Sequence, residues 1–202
     1  LFLHEGILKN YAESPPSSSE KAPIVLTKFL PTLLKGALVT IGISILSMML
    51  AVVLGLILTF MRLYGNTWLR MVSTAYIEIY RGTPLLIQLY ILYYGLPSIG
   101  ITLSAFVVAI LGLGMNYAAY EAEIYRAGIQ AIPKGQTEAA LSLGMSGRLT
   151  LKRIILPQAL RVTIPTIVTN NIALFKDTTL VFIVGIFYFL RTIEAARIDP
   201  NW

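Results

Sequence analysis

An uninterrupted apolar stretch constrains this chain more than any other feature. From Gly36 to Met61 the sequence contains no charged side chain. A helix that rises about 1.5 Å per residue crosses a hydrocarbon core of about 30 Å within that length. The chain is also 56% hydrophobic and only 13% charged, and a soluble domain of this size would leave much of that apolar surface in water. We therefore expect an all-α integral membrane protein.

Further apolar segments predict about five transmembrane helices in total. The later spans are expected at about Met71 to Pro97, Ile101 to Tyr120, Val162 to Phe175 and Thr179 to Leu190. A short interfacial helix is expected over Ile24 to Leu34. Residues 1–30 are polar and include a Ser/Pro run, which is typical of a flexible linker. The sequence thus predicts two parts, a polar N-terminal segment (1–30) and a transmembrane domain (31–202).

Basic residues in the loops predict the orientation in the membrane. Arg62 and Arg70 follow the first span, and six basic residues lie between residues 121 and 161, whereas residues 96–102 carry none. Because Lys and Arg favour cytoplasmic loops, both charged loops are expected inside the cell, with the N-terminus outside. Four lysines before residue 36 count against that last point. The net charge of +6 is scattered among apolar runs, so membrane topology explains it better than nucleic-acid binding.

Composition also bears on the classes of chemistry open to the chain. It has no cysteine and one histidine, His4, so thiolate sites, His-based metal sites and His-dependent triads lack members. No Gly-x-x-x-x-Gly-Lys-Ser/Thr loop occurs in the sequence, so the chain lacks the usual phosphate cradle for ATP. We predict no catalytic residue, no metal site and no bound cofactor.

The polar segment at about 121–161 is predicted to form a compact helical insert between the third and fourth spans. Residues 119–129 and 148–156 are rich in helix formers, and Thr137 is a helix-start signal. The short helix that starts at Thr137 is expected to end at Gly144 and Gly147.

Within this insert lies a spaced motif of seven residues. They are Glu138, Ala139, Ala140, Gly144, Ile154, Leu156 and Pro157. The pattern resembles the cytoplasmic signature of the membrane subunits of ATP-binding cassette importers, which have the type I importer fold. The stretches Glu78–Pro84 and Glu123–Gln130 are similar to the polar amino acid permease branch, which includes histidine, glutamine and arginine permeases. The resemblance covers about Pro31 to Arg191.

The resemblance implies a permease subunit that imports polar amino acids by alternating access across the bacterial cytoplasmic (inner) membrane. Its implied partners are a dimer of ATP-binding cassette subunits, which use ATP and Mg²⁺, a second permease subunit and an extracytoplasmic amino-acid-binding protein. The seven motif residues would couple the ATPase to transport. Glu138 would cap a helix start or meet a basic residue of the ATPase, and Gly144 would mark the turn of the chain at the docking site.

Polar residues inside the spans are candidates for the substrate pathway, because they are costly in lipid. The candidates are Glu78, Arg81, Thr83, Pro84, Asn116, Asn170 and Asn171. Pro84 is expected to break its helix, and Arg81 to meet a substrate carboxylate. Structural readings stay open: an ion pair between Glu78 and Arg81, helix-to-helix hydrogen bonds for the asparagines, and an interfacial position for Lys176 and Asp177.

An ion-coupled secondary amino acid transporter is the alternative function, with Glu78, Arg81 and Asp177 as coupling groups. The absence of a visible internal repeat and the large cytoplasmic insert disfavour it. A membrane enzyme is disfavoured because no cluster of catalytic residues is visible.

Overall fold

A computed structural model describes residues 30–184 of the chain, with side chains described except at 32–33 and 182–184. The predicted N-terminal linker, the first part of the interfacial helix and the end of the fifth span lie outside the described residues. Of the described residues, 30–39 belong to a first compact unit of the chain and 40–184 to a second. The candidate site lies within the second unit.

Every regular element of the described residues is helical. The α-helices are α1 (Leu30–Tyr64), α2 (Thr67–Gly82), α3 (Leu85–Tyr90), α4 (Ala105–Gln130), α5 (Lys134–Ser142), α6 (Gly147–Thr150) and α7 (Leu156–Asp177). Two π-helical segments (Ile91–Gly95 and Leu151–Ile155) and two 3₁₀ segments (Leu96–Ile99 and Thr178–Val184) connect or extend them.

Two of the described helices are long and apolar enough to cross a membrane, over Leu34–Tyr64 and Ala105–Gln130. The first agrees with the longest apolar stretch of the sequence. It continues a helix that already begins at Leu30 with Pro31 in its first turn, so no separate interfacial helix ends at Leu34. The total of five spans stays a prediction.

The second predicted span is broken and not continuous. Helix α2 ends at Gly82, and Thr83 and Pro84 adopt extended conformations before α3 begins. Proline has no amide hydrogen and disfavours helical backbone at the residue before it, which explains the break. The expectation of a break at this point is confirmed, and the extent of the second span, from about Met71 to Pro97, stays a prediction.

Helix α4 runs ten residues beyond the predicted end of the third span at Tyr120. The predicted helical stretch 119–129 is therefore the second half of α4 and not part of a separate insert. Because no Pro interrupts this stretch and its only glycine, Gly128, packs against α7, the helix passes from apolar to charged sequence without ending. Glu121, the residue directly after the predicted end of the third span, is completely buried.

Helix α4 is the centre of the second unit and packs against α2, α3 and α7. Small residues permit the closest approaches. A Cβ on Gly55 of α1 would lie 2.8 Å from the Cβ of Glu121, and one on Gly128 would lie 2.0 Å from Thr163 Cγ2 of α7. There is thus no room for a side chain at Gly55 or Gly128, and α1 and α7 both approach α4 closely at these glycines.

Candidate functional site

The break between α2 and α3 exposes backbone carbonyls that side chains then satisfy. Thr83 Oγ1 donates to the Ile79 carbonyl at 2.8 Å. Gln88 Nε2 lies 3.0 Å from the Tyr80 carbonyl, 3.2 Å from that of Thr83 and 2.6 Å from Thr83 Oγ1. A helix end without such donors would leave polar groups unpaired inside an apolar stretch. The break is thus a stabilised feature of the fold.

Asn116 of α4 joins this network from the opposite side. Its Nδ2 donates to the Tyr80 carbonyl at 3.3 Å and to Gln88 Oε1 at 3.0 Å. The side chain is buried, and the residue lies in the middle of α4. The sequence had placed Asn116 near the cytoplasmic end of its span, because the length of α4 was underestimated.

A cavity of about 520 Å³ lies beside the break. The polar residues on its wall are Arg81, Thr83, Asn116, Tyr117, Tyr120, Asn170 and Asp177. Pro84 also contributes to the wall. Five of the seven predicted pathway residues therefore meet at one cavity, although they come from three helices and the break.

The cavity wall carries both signs of charge. The Arg81 guanidinium lies 5.4 Å from the ring centre of Tyr120, which is a cation–π arrangement. On α7, Asp177 Oδ2 accepts a hydrogen bond of 2.7 Å from the hydroxyl of Tyr117. Asp177, for which an interfacial position was one open reading, lies on the cavity wall. A positively charged and a negatively charged side chain are thus both available to one ligand.

Glu78 lies away from this cavity and forms no ion pair among the described residues. It borders a separate pocket of about 390 Å³ together with Arg62, Arg81 and Glu123. The ion pairs found among the described residues instead join Glu123 to Arg62 of α1 and to Arg126 of α4. The structural reading of Glu78 and Arg81 as an ion pair is therefore wrong, because Glu78 is exposed and Arg81 faces Tyr120.

The two adjacent asparagines of α7 differ in their surroundings. Asn170 lines the cavity, and its Nδ2 also donates to Glu121 Oε1 at 2.8 Å. Asn171 does not line it, and its Oδ1 is buried with no hydrogen-bond partner among residues 30–184. Neighbouring residues of a helix point about 100° apart, so only one of the pair reaches this wall.

A second cavity of about 610 Å³ shares Arg81, Tyr120 and Asn170 with the first.

The Glu-Ala-Ala part of the spaced motif lies on α5. Ala140 is buried, whereas Glu138 and Ala139 are exposed. The helix begins at Lys134, directly after Pro133, and not at the predicted start signal Thr137. Glu138 is therefore an interior helix residue and does not cap the helix start. It makes no ion pair within the described part of the chain.

Gly144 closes α5 in a left-handed conformation, with φ of +80°. Its amide donates to the Leu141 carbonyl at 2.9 Å, and the Met145 amide donates to the Ala140 carbonyl at 3.1 Å. This pair of hydrogen bonds is the Schellman arrangement, which favours glycine. A Cβ on Gly144 would meet no atom within 4 Å, so the requirement for glycine comes from the backbone and not from crowding.

The second part of the motif leads directly into α7. Ile154 lies in the π-helical segment, Leu156 is the first residue of α7 and Pro157 is in its first turn. The predicted separate basic helix at 148–156 is instead α6 and the π-helical segment, which continue into α7. A contact of 3.4 Å between Gln158 Nε2 and Gln136 Oε1 joins α7 to α5. The helix that carries Asn170 and Asp177 thus begins in the motif.

Sequence reasoning missed four residues of the site: Gln88, Tyr117, Tyr120 and Glu121. Gln88 follows Pro84 by four residues, a spacing that places it over the broken helix end, and this signal was available in the sequence. The two tyrosines and Glu121 look like ordinary helix residues until α2 and α7 are packed around α4.

Comparison with known proteins identifies related sequences. The family described as "Binding-protein-dependent transport system inner membrane component" matches residues 51–201. The L-cystine transport system permease protein TcyB of Bacillus subtilis is 40% identical over 179 residues, which are 87% of this chain and 76% of that protein. The arginine transport system permease protein ArgU of Corynebacterium glutamicum is 44% identical over 160 residues, which are 72% of this chain and 50% of that protein.

Solved structures show the same fold. A crystal structure of an amino acid ABC transporter with histidines matches with a TM-score of 0.82 and 33% identity, covering 89% of this chain and 84% of that one. The MetNI methionine ABC transporter in an inward-facing conformation matches with a TM-score of 0.61 and 19% identity, covering 85% of this chain and 96% of that one. At 19% identity, the match to MetNI shows a similar fold and nothing more.

Proposed function

The chain belongs to the family of binding-protein-dependent transport system inner membrane components, and from that membership we propose that it is the permease subunit of an ATP-driven importer of polar amino acids. Curated relatives named for cystine, arginine and glutamine transport support the substrate class. The proposal includes five spans in the bacterial cytoplasmic membrane, with the motif on the cytoplasmic side.

The partners follow from the family and from the chemistry that the sequence lacks. ATP hydrolysis, with its Mg²⁺, belongs to a dimer of ATP-binding cassette subunits, and the chain itself is not an enzyme. A second permease subunit, identical or related, completes the pathway, and an extracytoplasmic binding protein delivers the amino acid. Glu138 and Ala139 are exposed on α5 and are proposed to contact the ATPase.

The observation that carries the proposal is the course of α7. It begins in the motif and bears Asn170 and Asp177 on the cavity wall 14 to 21 residues later. Helix α7 is continuous over that length and contains Pro165 in its interior, with a rise of about 1.5 Å per residue. Movement of the motif by the ATPase therefore moves one wall of the cavity relative to Arg81 and the break. This is the physical basis for alternating access.

The cavity suits a zwitterion. An α-amino acid has a carboxylate and an ammonium group, and the wall offers Arg81 for the first and Asp177 for the second. Arg81 already lies against the Tyr120 ring, which limits its positions. A volume of about 520 Å³ falls in the usual range for small-molecule sites, about 300–1,000 Å³.

Uptake assays test the function. The permease with its ATPase and binding protein in proteoliposomes should accumulate a polar amino acid only when Mg-ATP is present on the ATPase side. Uptake that continues without ATP and instead follows an imposed ion gradient or membrane potential would contradict the proposal and favour the ion-coupled alternative.

A further inference from the structure

Glu121 is a completely buried carboxylate at the junction of three helices. It lies on α4, its Cβ is close to Gly55 of α1, and its Oε1 accepts a hydrogen bond from Asn170 of α7. Its Oε2 is buried and has no hydrogen bond of ordinary geometry within the described residues, although the Tyr125 side chain one turn along α4 also interacts with this carboxyl group. Burial of a carboxylate in an apolar helix bundle costs free energy. Close packing of α1 against α4 needs only the small Gly55 and gives no reason for an acid at position 121.

The chemistry of Glu121 fixes the orientation of the Asn170 amide. The carboxylate oxygen accepts hydrogen bonds, so the NH₂ group of Asn170 must face it and the carbonyl oxygen must point elsewhere. Asn170 lies on the cavity wall, and its Oδ1 has no hydrogen bond within the described residues. The cavity therefore meets Asn170 as an acceptor.

Asn116, which also lines the cavity, obeys the same rule. The Tyr80 carbonyl and Gln88 Oε1 are both acceptors, and both take hydrogen bonds from Asn116 Nδ2. The Oδ1 of Asn116 is thus also left for the cavity. The cavity wall thus holds three acceptor side chains, Asn116, Asn170 and Asp177, and one positively charged donor, Arg81.

We propose that Glu121 is a positioning residue that determines specificity, because it holds the Asn170 oxygen towards the cavity as an acceptor for the N–H groups of a cationic ligand. The inference rests on the proposed function and refines its substrate class to amino acids with a donor-rich, positively charged side chain. A glutamine at position 121 can present either an oxygen or an NH₂ group to Asn170. It therefore no longer fixes the orientation of the Asn170 amide. Replacing Glu121 with glutamine therefore tests its role as a positioning residue.

Equilibrium binding to the complete permease–ATPase complex in lipid nanodiscs tests the inference without the selectivity of the binding protein. The probes are radiolabelled L-arginine, L-glutamine and L-glutamate. The wild-type complex is expected to bind L-arginine more tightly than L-glutamate. Glu121→Gln is expected to reduce that ratio of affinities about tenfold, the usual effect of losing a hydrogen bond to a charged group.

A double variant reverses the polarity of the pair. In Glu121→Gln with Asn170→Asp, the amide at position 121 donates to the carboxylate at position 170, whose second oxygen still serves the cavity as an acceptor. The preference for L-arginine is expected to return. Ser47→Ala removes another buried polar atom without a partner on α1, outside the cavity wall, and is expected to leave the ratio unchanged.

The outcomes separate this inference from the function. A wild-type preference for L-glutamate, a parallel change of all three affinities in Glu121→Gln, or no return of selectivity in the double variant overturns the role of Glu121 while amino acid binding stands. If the wild-type complex binds none of the three amino acids and ATP drives no uptake of them, the proposed function falls together with the inference.

Discussion

The left-handed turn at Gly144 gives a prediction whose size follows from the backbone. The turn holds α5 through two hydrogen bonds, from Gly144 to Leu141 and from Met145 to Ala140. Because a Cβ on Gly144 meets no atom within 4 Å, a substitution there brings no clash within the described chain. Its cost is the conformational strain of an L-residue at a φ of +80°.

That strain is about 1–2 kcal/mol for an ordinary L-residue, with asparagine near the lower limit and β-branched residues at the upper one. A cost of this size lowers the population of the intact turn relative to an opened one by about 5- to 30-fold. If the turn transmits force from the ATPase to α7, coupling should fall in the order of strain. We therefore expect coupling to decrease at position 144 in the order glycine, asparagine, alanine and valine.

The assay is the number of amino acid molecules imported for each ATP hydrolysed by the reconstituted complex. ATP hydrolysis should persist in the variants while uptake falls, and the amount of protein inserted in the membrane should not change, because Gly144 is exposed outside the apolar spans. Gly147→Ala is the matched control. Gly147 lies in the same segment, has no positive φ and also has open space around it.

Two results would refute the reasoning. Wild-type coupling in Gly144→Val would show that the left-handed turn is not needed for force transmission. An equal loss of coupling in the asparagine and valine variants would show that backbone strain is not the cause. The cause would then be side-chain bulk at the surface that contacts the ATPase.

Three further changes test the cavity and its frame. Arg81→Ala should raise the amino acid concentration for half-maximal uptake about tenfold, through loss of one charge-assisted contact; loss of folded complex in gel filtration would instead indicate a structural role. Gln88→Leu removes the part-buried hydrogen bonds to the Tyr80 carbonyl and from Asn116 Nδ2 and should cost about 1–3 kcal/mol of stability, seen as a lower Tm of the complex; an unchanged Tm would contradict this. Gly128→Ala places a Cβ 2.0 Å from Thr163 Cγ2 and should also lower the Tm, and Thr163→Ser, which removes that methyl group, should restore it; failure of this rescue would show that the clash lies elsewhere.

Local signals predicted several parts of this structure correctly. The apolar run from Gly36 predicts the long first helix, because the length without charge is a property of the sequence itself. Pro84 predicts the break, because the missing amide and the restriction on Thr83 act whatever surrounds them. Gly144 predicts the end of α5, since only glycine adopts the left-handed conformation without strain.

Boundaries were predicted less well where no local breaker exists. Helix α4 continues past Tyr120 although its sequence changes from apolar to charged, since helix formation depends on backbone preferences more than on polarity. The start of α5 at Lys134 was missed because Pro133 ends the previous turn and sets the new helix earlier than the Thr137 signal.

The sequence by itself determined the helical class, the broken helix, the left-handed turn and the spaced motif, because each depends on residues close together along the chain. Only the tertiary structure decided that Arg81, Asn116, Asn170 and Asp177 share one cavity, that Glu78 does not, and that Glu121 holds the Asn170 amide. Those pairings join residues tens of positions apart, and the rotation of each helix is set by its packing against its neighbours. Close contacts such as the one at Gly55 fix that rotation, and no pattern within a single helix reports it.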